Sequence, residues 1–169
     1  EVDGAVAEAS VNVGPTRSSD LRTGRPLPPV FTPTFDNPRG VDPLCTRVPS
    51  CPLHDITVRD GLRQSRPLAV LVAAPGGCDI SYCPPALELL LEATEHHPQI
   101  HFLHAEVYVD PEAESSPMET GTTDIVQAYG LDHEPALFVA DAAGLLRHRL
   151  DHIFDRTELE EALSDVDDP

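Results

Sequence analysis

The stretch from Arg66 to Leu91, RPLAVLVAAPGGCDISYCPPALELLL, reads as a buried strand, a sharp turn and a helix. Leu68 to Ala74 is an unbroken apolar run rich in Leu and Val, as expected of a strand covered on both faces in a parallel or mixed sheet. Pro75-Gly76-Gly77 ends the run and permits a tight turn. Beyond it Leu87, Leu90 and Leu91 recur at helical spacing. Two cysteines, Cys78 and Cys83, stand at the handover. The orphan N–H groups and positive dipole end of a starting helix favour a thiolate there, so the position suits redox chemistry.

The spacing of that pair constrains its geometry. In a regular helix residues i and i+5 are separated by roughly 7.5 Å of rise plus a lateral offset, on the order of 8 to 9 Å, beyond the roughly 7 Å limit for a disulfide. Cys78 and Cys83 can therefore be joined only if they do not both lie in regular helix. Pro84 and Pro85 are tolerated without cost only in a first turn, which places the helix start near residues 81–83 and leaves 78–82 as a small loop. Two uses remain open. The pair is either a dithiol–disulfide switch, with Cys78 as nucleophile and Cys83 resolving, or a staple that pins the junction.

The order of elements around CDISYC resembles the thioredoxin-like superfamily over roughly residues 56–166. After the cysteines come a strand in IHFLHAEVYVD (residues 100–110), a short helix in TTDIVQAYG (residues 122–130), and HEPALFVADAAGLLRHRL (residues 133–150). The last is similar to the family's cis-proline strand and its hairpin partner, and DRTELEEALSDV (residues 155–166) to its closing helix. The resemblance implies an α/β fold, a central mixed sheet of four or five strands with helices on both faces. It is nearest in style to extracytoplasmic proteins of high-GC bacteria, with CxxxxC in place of CxxC. By the same resemblance Pro135 is a cis-proline shaping a substrate groove, with Glu134 beside it where relatives often carry an apolar residue. A protein thiol or disulfide would be the substrate or redox partner. No cofactor is implied. A second resemblance, to Sco-type copper chaperones of the same fold, would make Cys78, Cys83 and His133 a copper site. Two thiolates and an imidazole suit Cu(I), although the cysteine spacing departs from that family. The peroxiredoxin branch is disfavoured because Pro75 stands where a Thr or Ser would orient the peroxide.

Of the 169 residues eleven are arginine and none is lysine, and the net charge is −18. Such a surface repels nucleic acid and anionic membranes, and GC-rich coding accounts for the arginine bias. No stretch approaches the roughly 20 apolar residues of a membrane span. The remaining cysteines, Cys45 and Cys51, lie close together, and two local disulfides in an oxidising compartment are expected, although crossed pairings are not excluded. An export signal or lipid anchor, if the gene has one, is expected upstream.

Residues 1–52 read as an N-terminal arm and residues 53–169 as the thioredoxin-like domain. AVAEASVNV (residues 5–13) is a possible strand. Nine of the eighteen prolines fall between Gly14 and Pro52, which gives extended chain; its second half, from about Val30, is expected to lie against the domain around a small Cys45–Cys51 loop. Asp110 to Gly121 reads as a solvated acidic loop. Thr122 or Thr123 can cap the next helix and Gly130 end it, and Thr157 with Glu160 offers a capping box for the last. His96, His97, His101, His104, His148 and His152 lack an HExxH motif and are read as surface or strand residues.

Overall fold

A computed structural model describes residues 21–77, 82–114 and 116–167. Cys78 and the possible strand at residues 5–13 lie outside the described residues. The four strands found among them are β1 (Leu68–Val72), β2 (His101–Ala105), β3 (Ala136–Ala140) and β4 (Leu146–Asp151), in the order β2-β1-β3-β4. β1 runs parallel to β2 and antiparallel to β3, and β3 runs antiparallel to β4. The helices are α1 (Val58–Leu62), α2 (Cys83–Ala93), α3 (Asp124–Tyr129) and α4 (Arg156–Asp167).

β1 and β3 are buried on every residue, the signature of central strands between two helical layers. The pleat sends Ala69, Leu71, Leu137 and Val139 to the layer formed by α2 and α4. It sends Leu68, Val70, Val72 and Phe138 to the layer of α1 and α3. Leu87 and Leu90 of α2 are wholly enclosed. Each such leucine contributes about 2 kcal/mol through burial, so α2, and Cys83 at its start, is held by its apolar face.

Local chemistry sets the ends of the elements. Thr57 caps α1 by accepting from the Asp60 N–H, and Gly130 closes α3 in the left-handed conformation (φ 60°) that favours glycine. Thr123 occupies the N-cap of α3, but its hydroxyl donates to the Glu106 carbonyl. The capping box of α4 lies two residues earlier than expected. The Glu158 N–H donates to Asp155 and the Asp155 N–H to the Glu158 carboxylate, which leaves Thr157 and Glu160 inside the helix. β2 is shorter than its apolar run because the Val107 carbonyl accepts from Thr123 and the Val109 N–H donates to Gly121, drawing the chain off β1 to close the acidic excursion.

The arm is ordered against the domain from Leu21. Leu21, Leu27 and Val30 enter the layer of α1 and α3, while Cys45, Cys51 and Leu53 enter that of α2 and α4. The His104 N–H donates to the Leu53 carbonyl, so the arm covers the outer edge of β2, and Pro26 bridges Leu145 beside β4. No helix among the described residues is long and apolar enough to cross a membrane.

Candidate functional site

The turn after β1 is where the chemistry-bearing side chains gather. Cys83 is the first residue of α2, with Tyr82 as N-cap, so the helix starts where its two prolines require. Its side chain is fully enclosed, and its sulfur donates to the Glu134 carboxylate at 3.5 Å. The same carboxylate oxygen accepts the Ala74 N–H at 2.6 Å. The Glu134–Pro135 peptide bond is cis and leads directly into β3. The helix-start cysteine and the proline loop thus meet through Glu134, the residue that departs from the familiar apolar pattern.

Beside this junction lies a groove of about 390 Å³ with an apolar floor that includes Val72, Val107, Val126 and Leu131 and a polar edge of His133 and Glu134. Met118, largely exposed, lines it, so the acidic excursion read as a plain surface loop supplies one wall. The imidazole of His133 stands within 2.8 Å of Asp132 and 2.9 Å of Asp151, one carboxylate at each ring nitrogen. Burial disfavours its charge, but these two carboxylates outweigh burial and hold its pKa above the ordinary histidine value. Both ring nitrogens thus face carboxylates.

On the other side of the same turn stands a second group. Cys45 and Cys51, expected as a disulfide, are free thiols here. Cys45 Sγ lies 3.6 Å from His104 Nδ1, Cys51 Sγ 3.4 Å from that atom and 3.3 Å from His54 Nε2, and the Cys51 N–H donates to Cys45 Sγ at 3.4 Å. Cysteine count alone suggests a bridge between the nearest pair. Here β2 and the segment after the arm bring imidazoles to both sulfurs. A hydrogen bond from the Cys51 thiol, aided by His104 and His54, pulls the Cys45 thiol pKa well below its ordinary value, while that thiol–thiol bond and burial push Cys51 up. His104 Nε2 lies 3.1 Å from the Ala73 carbonyl, which only accepts; this nitrogen therefore carries hydrogen and Nδ1 faces the sulfurs.

Thr46 ties this group to the turn. Its hydroxyl donates to the buried Glu106 carboxylate and accepts the Gly76 N–H at 2.8 Å, and its backbone N–H also donates to Glu106. Burial raises the Glu106 pKa to about 7.

Sequence reading missed His54 and placed His104 among plain strand residues. The available signal was local for one and absent for the other: two residues separate Cys51 from His54 in CPLH, but only sheet pairing brings His104 alongside them. Among the other histidines, His97 is buried between Glu160 and Asp167 instead of lying on the surface.

No family model matches the chain, and no curated protein does. Solved structures do. A protein of Chlorobium tepidum described as the thiol:disulfide interchange protein DsbE superposes with a TM-score of 0.62 at 11% identity, over 87% of this chain and 99% of that one. DsbF from MTB, in mixed oxidized and reduced forms, gives a TM-score of 0.54 at 17% identity, over 81% and 94%. A thioredoxin family thiol:disulfide interchange protein from Chlorobium tepidum TLS gives 0.51 at 13% identity, over 88% and 99%. The fold is thioredoxin-like.

Proposed function

We propose that this chain carries out thiol–disulfide exchange outside the cytoplasm through Cys78 and Cys83. The observation that carries the reading is the meeting of Cys83, at the first residue of α2, with the Glu134 carboxylate just before Pro135. The groove alongside, with Tyr82 half exposed at the helix start, would take an extended segment of a protein substrate. A Cys78 thiolate attacks one sulfur of a substrate disulfide and the other sulfur leaves as thiolate. Cys83 passes its proton to Glu134 and attacks Cys78 in the mixed disulfide, releasing the second substrate thiol. Two electrons pass from the protein to the substrate, and the reverse sequence oxidises a dithiol. With Cys45 and Cys51 as thiols, the extracytoplasmic assignment rests on the Cys78/Cys83 pair and on the likeness to interchange proteins.

A redox titration of Cys78/Cys83 tests this. A potential between about −120 and −230 mV, with turnover in insulin reduction that is lost in Cys78→Ser, is the expected result. A value below about −300 mV without turnover makes the pair a permanent staple and the domain a binding or scaffold module.

A further inference from the structure

We infer that Cys45, Cys51, His54 and His104 form a closed binding site for one Zn²⁺ ion, which fastens the N-terminal arm to the edge of the sheet. Among the described residues, one ligand atom from each of these four side chains lies within 4.8 Å of all the others, and all four residues are buried. A tetrahedral zinc centre with Zn–S near 2.3 Å and Zn–N near 2.0 to 2.1 Å has sulfur–nitrogen edges of about 3.6 Å. The three measured sulfur–nitrogen separations, 3.3, 3.4 and 3.6 Å, lie on or just inside that edge. The other three donor pairs lie within 4.8 Å, so side-chain adjustment would close all four donors on one ion.

The surroundings favour a cation over an apolar cluster. Sulfur is a weak hydrogen-bond partner, so two thiols and two imidazoles turned on one another in a dry interior satisfy each other poorly, and burying them this way is costly. A soft to borderline divalent ion with S₂N₂ preference removes that cost. The second layer supports His104 and Cys45, while His54 Nδ1 has no hydrogen-bond partner among the described residues. The Ala73 carbonyl fixes the His104 tautomer that turns Nδ1 toward the sulfurs, and the Cys51 N–H supports the Cys45 sulfur. Four protein donors leave no open position for water or substrate, which makes the site structural. Cys45 and Cys51 come from the arm, His54 from the segment that follows it and His104 from β2. The ion therefore joins pieces of chain that sequence keeps far apart.

The test uses the full chain, reduced under anaerobic conditions and titrated with Zn²⁺ against a chromophoric chelator, then with Co²⁺ as a spectroscopic probe. The expected result is one Zn²⁺ per chain, a tetrahedral Co²⁺ spectrum with thiolate charge-transfer bands, and a rise in melting temperature on loading. Affinity falls at least 100-fold in Cys51→Ser and in His104→Gln, and is unchanged in Cys78→Ser/Cys83→Ser. Where Cys51→Ser does not fold, the Co²⁺ spectrum of the unsubstituted chain still reports its own donor set. Absence of stoichiometric binding overturns the assignment, as does binding that survives His104→Gln or vanishes with Cys78 and Cys83. A Cys45–Cys51 disulfide in the isolated protein, with no zinc uptake after reduction, overturns it too, and so does uptake of Cu(I) but not Zn²⁺.

Discussion

Cys83 reaches its position through residues continuous in sequence, whereas Cys45 and Cys51 owe theirs to a histidine 59 and 53 residues away. The two regions meet at one peptide group. The Ala73 carbonyl accepts from His104 at 3.1 Å, and the N–H of the same peptide, on Ala74, donates to Glu134 at 2.6 Å. One side of this turn is assembled from a strand, a helix start and a proline loop, with a groove beside it. The other is a sealed knot of side chains brought in by the arm. The difference teaches that enclosure does not define a sulfur's chemistry: Cys83 is enclosed against a carboxylate beside an open groove, Cys45 and Cys51 among imidazoles.

Substituting the cysteines breaks the comparison most sharply. Cys83→Ser is expected to lower insulin reduction on the order of 100-fold or more while zinc uptake persists. Cys45→Ser/Cys51→Ser is expected to abolish zinc uptake and leave exchange within about threefold. Paired turnover and metal-binding assays check this, and equal loss of both properties in either variant would merge the two regions into one site.

Gly76→Ala probes what they share. A Cβ at Gly76 would stand 2.8 Å from Thr46 Cβ and 3.0 Å from the Thr46 carbonyl oxygen, neither of which is the loose end of a flexible side chain. Displacing Thr46 also strains its bonds to Glu106. The expected loss is about 1 to 3 kcal/mol in urea denaturation, with both exchange and metal binding impaired. An unchanged midpoint would mean that the arm is not packed on the turn as described.

The smallest effect belongs to a charge cluster at the far end of α2, which sharpens the contrast by touching neither region. His97 lies between Glu160 and Asp167 of α4, at 2.9 and 2.8 Å. Burial works against its charge, but the two carboxylates outweigh burial and raise its pKa. The folded chain therefore holds this proton more tightly than the unfolded one. The contribution is complete below the ordinary value of about 6.5 and is lost as pH rises through the higher folded value. His97→Gln should cost on the order of 1 kcal/mol at pH 6 and less than half of that at pH 9, with exchange and metal binding intact. Equal losses in denaturation at the two pH values would exclude the charged clamp.

How far the chain could be read without its structure differs between these regions for a physical reason. Whereas the segment entering β3 at Pro135 is read from a family resemblance, the buried strand, the start of α2 forced by Pro84 and Pro85 and the closure of α3 at Gly130 each depend on neighbours within a few residues. Local sterics and apolar periodicity express such features directly. The capping box of α4 shows the limit of local reading, since Thr157/Glu160 and Asp155/Glu158 both suit the pattern and helix packing selects the second.

Sequence alone determined the layered α/β plan and put a cysteine at the strand-to-helix turn, because burial and helix initiation are written in short runs of residues. Tertiary structure alone decided that Cys45 and Cys51 face His104, and that Glu134 reaches Cys83 across the turn. Those encounters depend on which strand lies beside which and on where the arm comes to rest, and no spacing along the chain encodes that distance.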